Sequence, residues 1–229
     1  MFFYDSYYWT ILLPAMILAM VAQARVSSTF NRYQKVLSRR RITGREAAEQ
    51  VLRAHGVYDV QIERVRGKLT DHYDPRTNVI RLSEAVYDST SVGAVGVAAH
   101  EAGHAVQYAV GYGPIRIRNA VIPVCNIGSQ LSIILLLVGL LFYSEPLFGL
   151  GVIFFAVAMV AQIITLPVEF NASSRAMETL AGTNMLDDEE LRGAKKVLSA
   201  AAMTYVAALV VSIAQLLRFV LLFAGRRRD

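Results

Sequence analysis

Residues 131–168 read LSIILLLVGLLFYSEPLFGLGVIFFAVAMVAQIITLPV, and this stretch decides the fold. Its single charge, Glu145, sits in the short break Ser144-Glu145-Pro146. On either side lie apolar runs, residues 123–143 and 147–168. A bilayer core of about 30 Å is crossed by roughly 17–25 helical residues, so each run is long enough to span. So tight a break between them predicts a helical hairpin that crosses the bilayer and returns.

Two further apolar runs lie outward of the hairpin. Residues 7–24 carry no charge and open with Tyr7, Tyr8 and Trp9, which suit an interfacial aromatic belt. No positive segment precedes this run and basic residues follow it, so a retained anchor is expected rather than a cleaved signal peptide. The fourth run, residues 203–224, is interrupted by Gln215 and Arg218. Arg218 lies near its end and is expected to snorkel to the interface. The chain has 229 residues, is 55% hydrophobic and has a mean hydropathy of +0.41. Soluble domains average about 45–50% apolar residues, and the excess here is gathered into these four blocks.

The basic residues predict an orientation. Arg25, Arg32, Arg39, Arg40, Arg41 and Arg45 follow the first run, whereas residues 1–6 contain no Lys or Arg. The positive-inside rule therefore puts residues 25–122 in the cytoplasm, and the hairpin returns residues 169–202 to that side. The expected segments are an anchor at 1–24, a cytoplasmic segment at 25–122 and the hairpin at 123–168. A second cytoplasmic segment at 169–202 and a last helix with a basic tail at 203–229 complete the chain. Arg226, Arg227 and Arg228 would lie outside if the last run crosses fully, against the rule. Either the early charges dominate or that helix does not cross. Most of the net charge of +5 flanks apolar runs, so it points to the lipid bilayer as partner and not to nucleic acid. The single cysteine, Cys125, excludes a disulfide framework and reads as a buried thiol.

Residues 43–122 form the stretch long enough for an extramembrane domain. Thr43 and Glu46 have capping-box spacing ahead of a helical face at Ala47, Ala48, Val51 and Leu52. His55-Gly56 ends that helix, with His55 as a cap or dipole partner. Residues 60–65 and 79–82 alternate as strands around a turn at Asp74-Pro75-Arg76-Thr77-Asn78, which predicts a small hairpin or meander. A helix is expected from about Val92 to Val110.

On that helix lies His100-Glu101-Ala102-Gly103-His104. Histidines at i and i+4 share one helical face, so their imidazoles converge on one ion. Zinc accepts imidazole nitrogens, and a catalytic zinc keeps three protein ligands and one open position. Glu101 is placed to take a proton from zinc-bound water and deliver it to a leaving amine. An unpartnered pair of histidines on so apolar a helix would be costly. The third ligand comes from elsewhere: His55, His72 and several carboxylates are options, and Glu169, at the cytoplasmic mouth of the third run, is the best placed. A donor for the oxyanion is expected near the metal, with Arg175, His72 and Tyr73 as candidates. The stretch Asp71-His72-Tyr73-Asp74 could equally be a turn that satisfies its own backbone.

Three separated motifs, LTDHYDP at 69–75, AAHEAGHAVQ at 98–107 and LPVEFNASSRA at 166–176, resemble the YugP-type neutral zinc metallopeptidases of bacteria. The resemblance covers nearly the whole chain. A more distant one reaches the membrane proteases of the HtpX and CAAX prenyl protease type. It implies a mainly α-helical integral membrane protein of about four transmembrane helices with a small α+β, zincin-like cytoplasmic domain. It further implies His100, His104 and Glu169 as ligands of Zn2+ and Glu101 as general base. The more distant group carries an Asp four residues after the glutamate; here that position is Ser173, so Asn171 or Ser173 is expected to hydrogen-bond a ligand instead.

The expected function is therefore hydrolysis of peptide bonds, in peptide or membrane-protein substrates, at the cell membrane with the site facing the cytoplasm. The alternative is an inactive membrane scaffold with a structural metal site. Glu101 argues against it, because a structural site needs no base and fills all four positions with protein ligands. A transporter fits less well, since the spans are nearly free of ionisable groups at mid-depth.

Overall fold

The computed structural model describes residues 5–226; residues 1–4 and the end of the basic tail, Arg227 and Arg228 included, lie outside the described residues. A π-helical turn, Tyr8–Leu12, leads into α1, Leu13–Tyr33. Then come α2 (Gly44–Ala54), β1 (Gln61–Val65), β2 (His72–Asp74), β3 (Val79–Ser83) and the short α3 (Glu84–Tyr87). The remainder is helical: α4 (Val92–Ala109), α5 (Gly113–Leu141), α6 (Glu145–Gly182) and α7 (Asp188–Arg226). Among the described residues, four helices are long and apolar enough to cross a membrane: Tyr8–Tyr33, Gly113–Leu141, Glu145–Gly182 and Asp188–Gly225. The protein is thus a mainly helical membrane protein with a small α+β domain.

These helices outrun the apolar runs that announce them. α5 begins well ahead of Pro123, α6 continues past Val168 to Gly182, and α7 starts at Asp188. Hydropathy marks the length that lipid can cover, whereas a helix continues for as long as its backbone bonds and packing allow. Pro123 and Pro167 both lie inside helices, as membrane proteins tolerate where neighbours satisfy the freed carbonyls.

The chain divides into two compact units. The first comprises the N-terminal residues to Ala22, Arg116–Leu166 and the residues from Thr204 onward. Lipid supplies no hydrophobic drive for one spanning helix to meet another, so small residues that permit close packing decide the contacts. A methyl group at Gly139 would collide with the backbone of Phe148, and one at Gly151 would lie 2.9 Å from the Leu136 nitrogen. Ser132 donates its hydroxyl to the Gly151 carbonyl at 3.0 Å across the same α5–α6 pair. Phe148 is fully buried and packs edge-on against Phe219 of α7, with ring centroids 6.1 Å apart. Cys125 is a buried free thiol directed at the Val157 carbonyl.

Arg218 corrects the snorkelling expectation. It is 4% exposed, and its guanidinium donates to the Asp5 carboxylate, from Nη2 at 2.6 Å and from Nε at 3.0 Å. A buried cation needs a counter-charge, and its partner lies at the other end of the chain, where no local pattern announces it.

The second unit, Gln23–Ile115 with Pro167–Met203, holds the sheet and the largest core. Thr43 and Glu46 form the reciprocal capping box at the start of α2. α2 buries Ala47, Ala48, Val51 and Leu52. Ser91 caps α4 by accepting the Ala94 N–H at 3.1 Å. The sheet order is β1-β3-β2. β3 pairs parallel with β1 and antiparallel with β2. A hairpin between β1 and β3 is therefore replaced: the intervening β2 folds back on the far edge of β3, so β1 meets β3 in the same direction. The turn at residues 74–78 does join β2 to β3. Asp74 stabilises it by accepting the Arg76 N–H at 3.0 Å and the Thr77 hydroxyl at 3.0 Å, and Asn78 takes a left-handed conformation with φ 56°.

Candidate metal centre

α4 is built from small and β-branched residues, so it can be buried on nearly all sides and approached closely by its neighbours. Ala98, Ala99, Ala102 and Ala105 are all buried. On this helix the rings of His100 and His104 lie edge to face with centroids 4.7 Å apart. α6 brings Glu169 to them. One carboxylate oxygen, Oε2, stands 3.5 Å from Nε2 of His100 and 3.5 Å from Nε2 of His104.

The approach depends on Gly103, between the two histidines. A Cβ there would lie 2.6 Å from the Ala172 carbonyl oxygen, so no side chain fits between α4 and α6 one turn beyond Glu169. Glu169 is 3% exposed, and the ligand atoms of the three residues all lie within 4.8 Å of one another. Two zinc ligands at about 2.1 Å and at the tetrahedral angle stand about 3.4 Å apart. The histidine–glutamate separations match that spacing, and two imidazoles with one carboxylate form a donor set that catalytic zinc accepts.

Each imidazole is oriented through its other nitrogen. Gln107 is fully buried and donates from Nε2 to the Val168 carbonyl at 2.8 Å and to Asn171 Oδ1 at 3.0 Å. Both amide hydrogens are thereby committed, so Gln107 Oε1, 3.0 Å from His104 Nδ1, accepts from the ring. That assigns a proton to Nδ1 and turns Nε2 towards Glu169, where its lone pair would bind an ion once any second proton is lost. Ser173 Oγ lies 3.1 Å from His100 Nδ1 and so holds the other ring by the same nitrogen. Of the two residues expected to hydrogen-bond a ligand, Ser173 contacts His100 directly, whereas Asn171 accepts from Gln107 and Arg175 and touches no ligand itself.

Glu101 is 9% exposed, and its Oε2 accepts the Tyr73 backbone N–H at 3.0 Å. β2 is an edge strand, so the N–H can be turned outward to the helix. Burial would lower the proton affinity of His104, but hydrogen bonding to Glu169 and the charges of Glu101 and Glu169 outweigh it and hold the imidazole above its ordinary value. Binding a metal must displace that proton.

The remaining candidates take other places. Asp71 accepts the Ser83 N–H at 2.7 Å and the Ser83 hydroxyl at 3.0 Å, tying the start of β2 to the end of β3. Burial pushes the Asp71 carboxyl up, against those hydrogen bonds, with the Glu101 charge adding to the rise. His72 is exposed, with Nδ1 2.8 Å from the Thr70 carbonyl, and is not part of the three-residue group. Tyr73 reaches the site by its backbone, while its hydroxyl donates to Asn78 at 2.7 Å. Its phenol is pushed up to about 12, chiefly by burial. Arg175 donates from Nε to Asn171 at 2.9 Å and lies 5.9 Å from the Tyr112 ring centroid, so it touches the site through Asn171 and Gln107. His55 contacts the Val51 carbonyl at the end of α2. Gln107 and Gly103 were absent from the expected site; the available signal for Gln107 was a long amide three residues after His104 on an apolar helix.

The chain is similar to known proteins over nearly its whole length. Residues 8–224 match the family described as "Putative neutral zinc metallopeptidase". The chain is 48% identical over 217 residues to "Putative membrane protease YugP" of Bacillus subtilis (strain 168), covering 95% of this chain and 96% of that protein. No solved structure matches the chain at a significant level.

Proposed function

We propose, since this chain belongs to the family of neutral zinc metallopeptidases, that it is a membrane-embedded endopeptidase whose zinc is held by His100, His104 and Glu169. The observation that carries this reading is one buried carboxylate, Glu169, 3.5 Å from Nε2 of both histidines. A zinc ion held there would supply a Lewis acid that makes water more acidic and more nucleophilic at neutral pH. Glu101 accepts the proton of the attacking water and passes it to the leaving amine. Its carboxylate is steadied for this by the Tyr73 N–H. Gln107 and Ser173 keep the two imidazoles turned with Nε2 inward. Arg175, braced by Asn171 through Nε, offers its remaining donors to the developing oxyanion, and His72 on the exposed strand β2 offers its ring to the substrate.

The substrates in this reading are peptides or membrane proteins met at the bilayer. The basic cluster from Arg25 to Arg45 supports a site on the cytoplasmic face of the cell membrane, with residues 25–122 and 169–202 on that side.

Elemental analysis of the purified protein tests the ligand set. The wild type is expected to carry near-stoichiometric zinc, His104→Ala and Glu169→Gln to lose most of it, and Glu101→Gln to keep zinc while losing peptide cleavage. Undiminished zinc in Glu169→Gln would remove that residue from the ligands. Absence of zinc from freshly prepared, zinc-supplemented protein would overturn the whole reading.

A further inference from the structure

Within the second unit, away from the histidines, a cavity of about 420 Å³ lies between the end of α1, the segment that follows it, and the first turns of α7. Four cations line it, Arg32, Arg39, Arg192 and Lys196, together with the carboxylates Glu189 and Glu190. Glu190 is buried and accepts two backbone N–H groups, from Arg39 at 2.6 Å and from Asp187 at 2.8 Å. Arg39 in turn pairs with Asp187 at 2.7 Å and reaches Glu189 at 3.8 Å. Arg32, Arg192 and Lys196 have no ion pair within 4 Å among the described residues. The lining thus sets four cations against two carboxylates, and three of those cations lie outside ion-pairing distance of any acidic group among the described residues.

The shape of the cavity rests on Gly193. A Cβ there would stand 2.7 Å from Cε1 of Tyr33 and 3.1 Å from Cγ1 of Val92, so only glycine lets the tyrosine ring lie against α7. Arg32 lies 5.8 Å from the centroid of that ring. Val36 and Leu37, both more than 40% exposed, give the lining an apolar portion. Two guanidinium forks and an ammonium around one hollow match the several acceptor oxygens of a phosphate better than the two of a carboxylate.

We infer that this cavity binds a phosphate-bearing anion, either a soluble phosphate compound or the headgroup of an acidic phospholipid. The test measures thermal unfolding of the full-length protein in neutral detergent. Pyrophosphate is titrated in one arm and short-chain phosphatidylglycerol in another, with phosphatidylcholine and potassium chloride at matched ionic strength as controls. At about a hundred times the dissociation constant, a single-site ligand raises the midpoint of a chain this size by about 5–10 °C. That rise is expected with at least one phosphate probe and with neither control. It should be lost in Arg32→Gln/Lys196→Gln and reduced in Arg192→Gln, with the metal content of both variants unchanged. A rise with pyrophosphate alone identifies a soluble ligand, and a rise with phosphatidylglycerol alone identifies lipid. No rise with either probe, an equal rise with potassium chloride, or an undiminished rise in both variants would overturn the inference.

Discussion

Gln107 accepts from Nδ1 of His104 at 3.0 Å while donating to the Val168 carbonyl of α6 at 2.8 Å, so one buried amide both orients a candidate ligand and joins the helices that carry the site. Partners of this kind set ring orientation and basicity, and their loss typically costs about 10–100-fold in metal affinity. Gln107→Leu should therefore weaken zinc binding by about that factor in a competition titration with a chelator. It should also destabilise the fold by about 1–3 kcal/mol through the orphaned groups. Gln107→Glu keeps the acceptor for His104 while losing the donors to Val168 and Asn171, so its affinity should stay nearer the wild type than that of Gln107→Leu. Equal loss in both variants would show that Gln107 acts through packing alone.

Ser173 stands where the more distant membrane proteases carry an aspartate, and its hydroxyl lies 3.1 Å from His100 Nδ1. Ser173→Ala should lower zinc affinity by about tenfold, whereas Ser173→Asp should restore it or exceed the wild type. Equilibrium dialysis against buffered zinc reads both. If alanine has no effect, His100 is oriented by something other than this contact.

Gly103→Ala places a methyl group 2.6 Å from the Ala172 carbonyl oxygen. Backbone cannot yield as a flexible side chain does, so α6 must shift, at a cost of about 1–3 kcal/mol. Glu169 lies on the same helix and should be drawn from the histidines, with zinc lost alongside stability. Gly182→Ala is the control, since nothing lies within 4 Å of its Cβ position, and it should be neutral or slightly stabilising.

Burial raises the Asp71 carboxyl above its usual value. In the folded protein this acid holds its proton to higher pH than in the unfolded chain. Its contribution to stability is therefore complete below the unfolded pKa and is lost as pH rises through the folded one. Asp71→Asn keeps an acceptor for the Ser83 N–H and removes that titration. The unfolding midpoint of the variant, compared with wild type, should improve as pH rises from the ordinary carboxylate range through the raised pKa of Asp71, and level off above it. A difference that stays constant as pH rises from acid to neutral would rule out this role for Asp71.

The Asp5–Arg218 pair has side chains only 14% and 5% exposed. Breaking a buried pair leaves an uncompensated charge and typically costs about 3–5 kcal/mol, while replacing both members with apolar residues is often close to neutral. Arg218→Met should lower the thermal midpoint in detergent well below that of Asp5→Leu/Arg218→Met. Equal midpoints would mean that the pair is solvated.

Much of the architecture was legible because its signals are local. Transfer of apolar side chains into lipid acts on contiguous runs, so the four long helices followed from hydropathy over residues 7–24, 123–143, 147–168 and 203–224. Capping chemistry operates over three residues, and the Thr43–Glu46 box formed as its spacing predicted. The helical period placed His100 and His104 on one face before any tertiary contact was considered.

What only the tertiary structure decided involves residues far apart in the chain, whose meeting leaves no periodic trace. It brought the Glu169 carboxylate, rather than His55 or His72, to both histidines, and it seated Gly103 against Ala172 so that α6 could come that close. It ran β1 parallel to β3 because β2 took the opposite edge, and it buried Arg218 against Asp5 instead of releasing it to the interface. Local free energies select helices and caps, and hence the elements. Which buried polar group finds which partner is settled only when those elements pack, because the cost of leaving it unsatisfied appears only after water has been excluded.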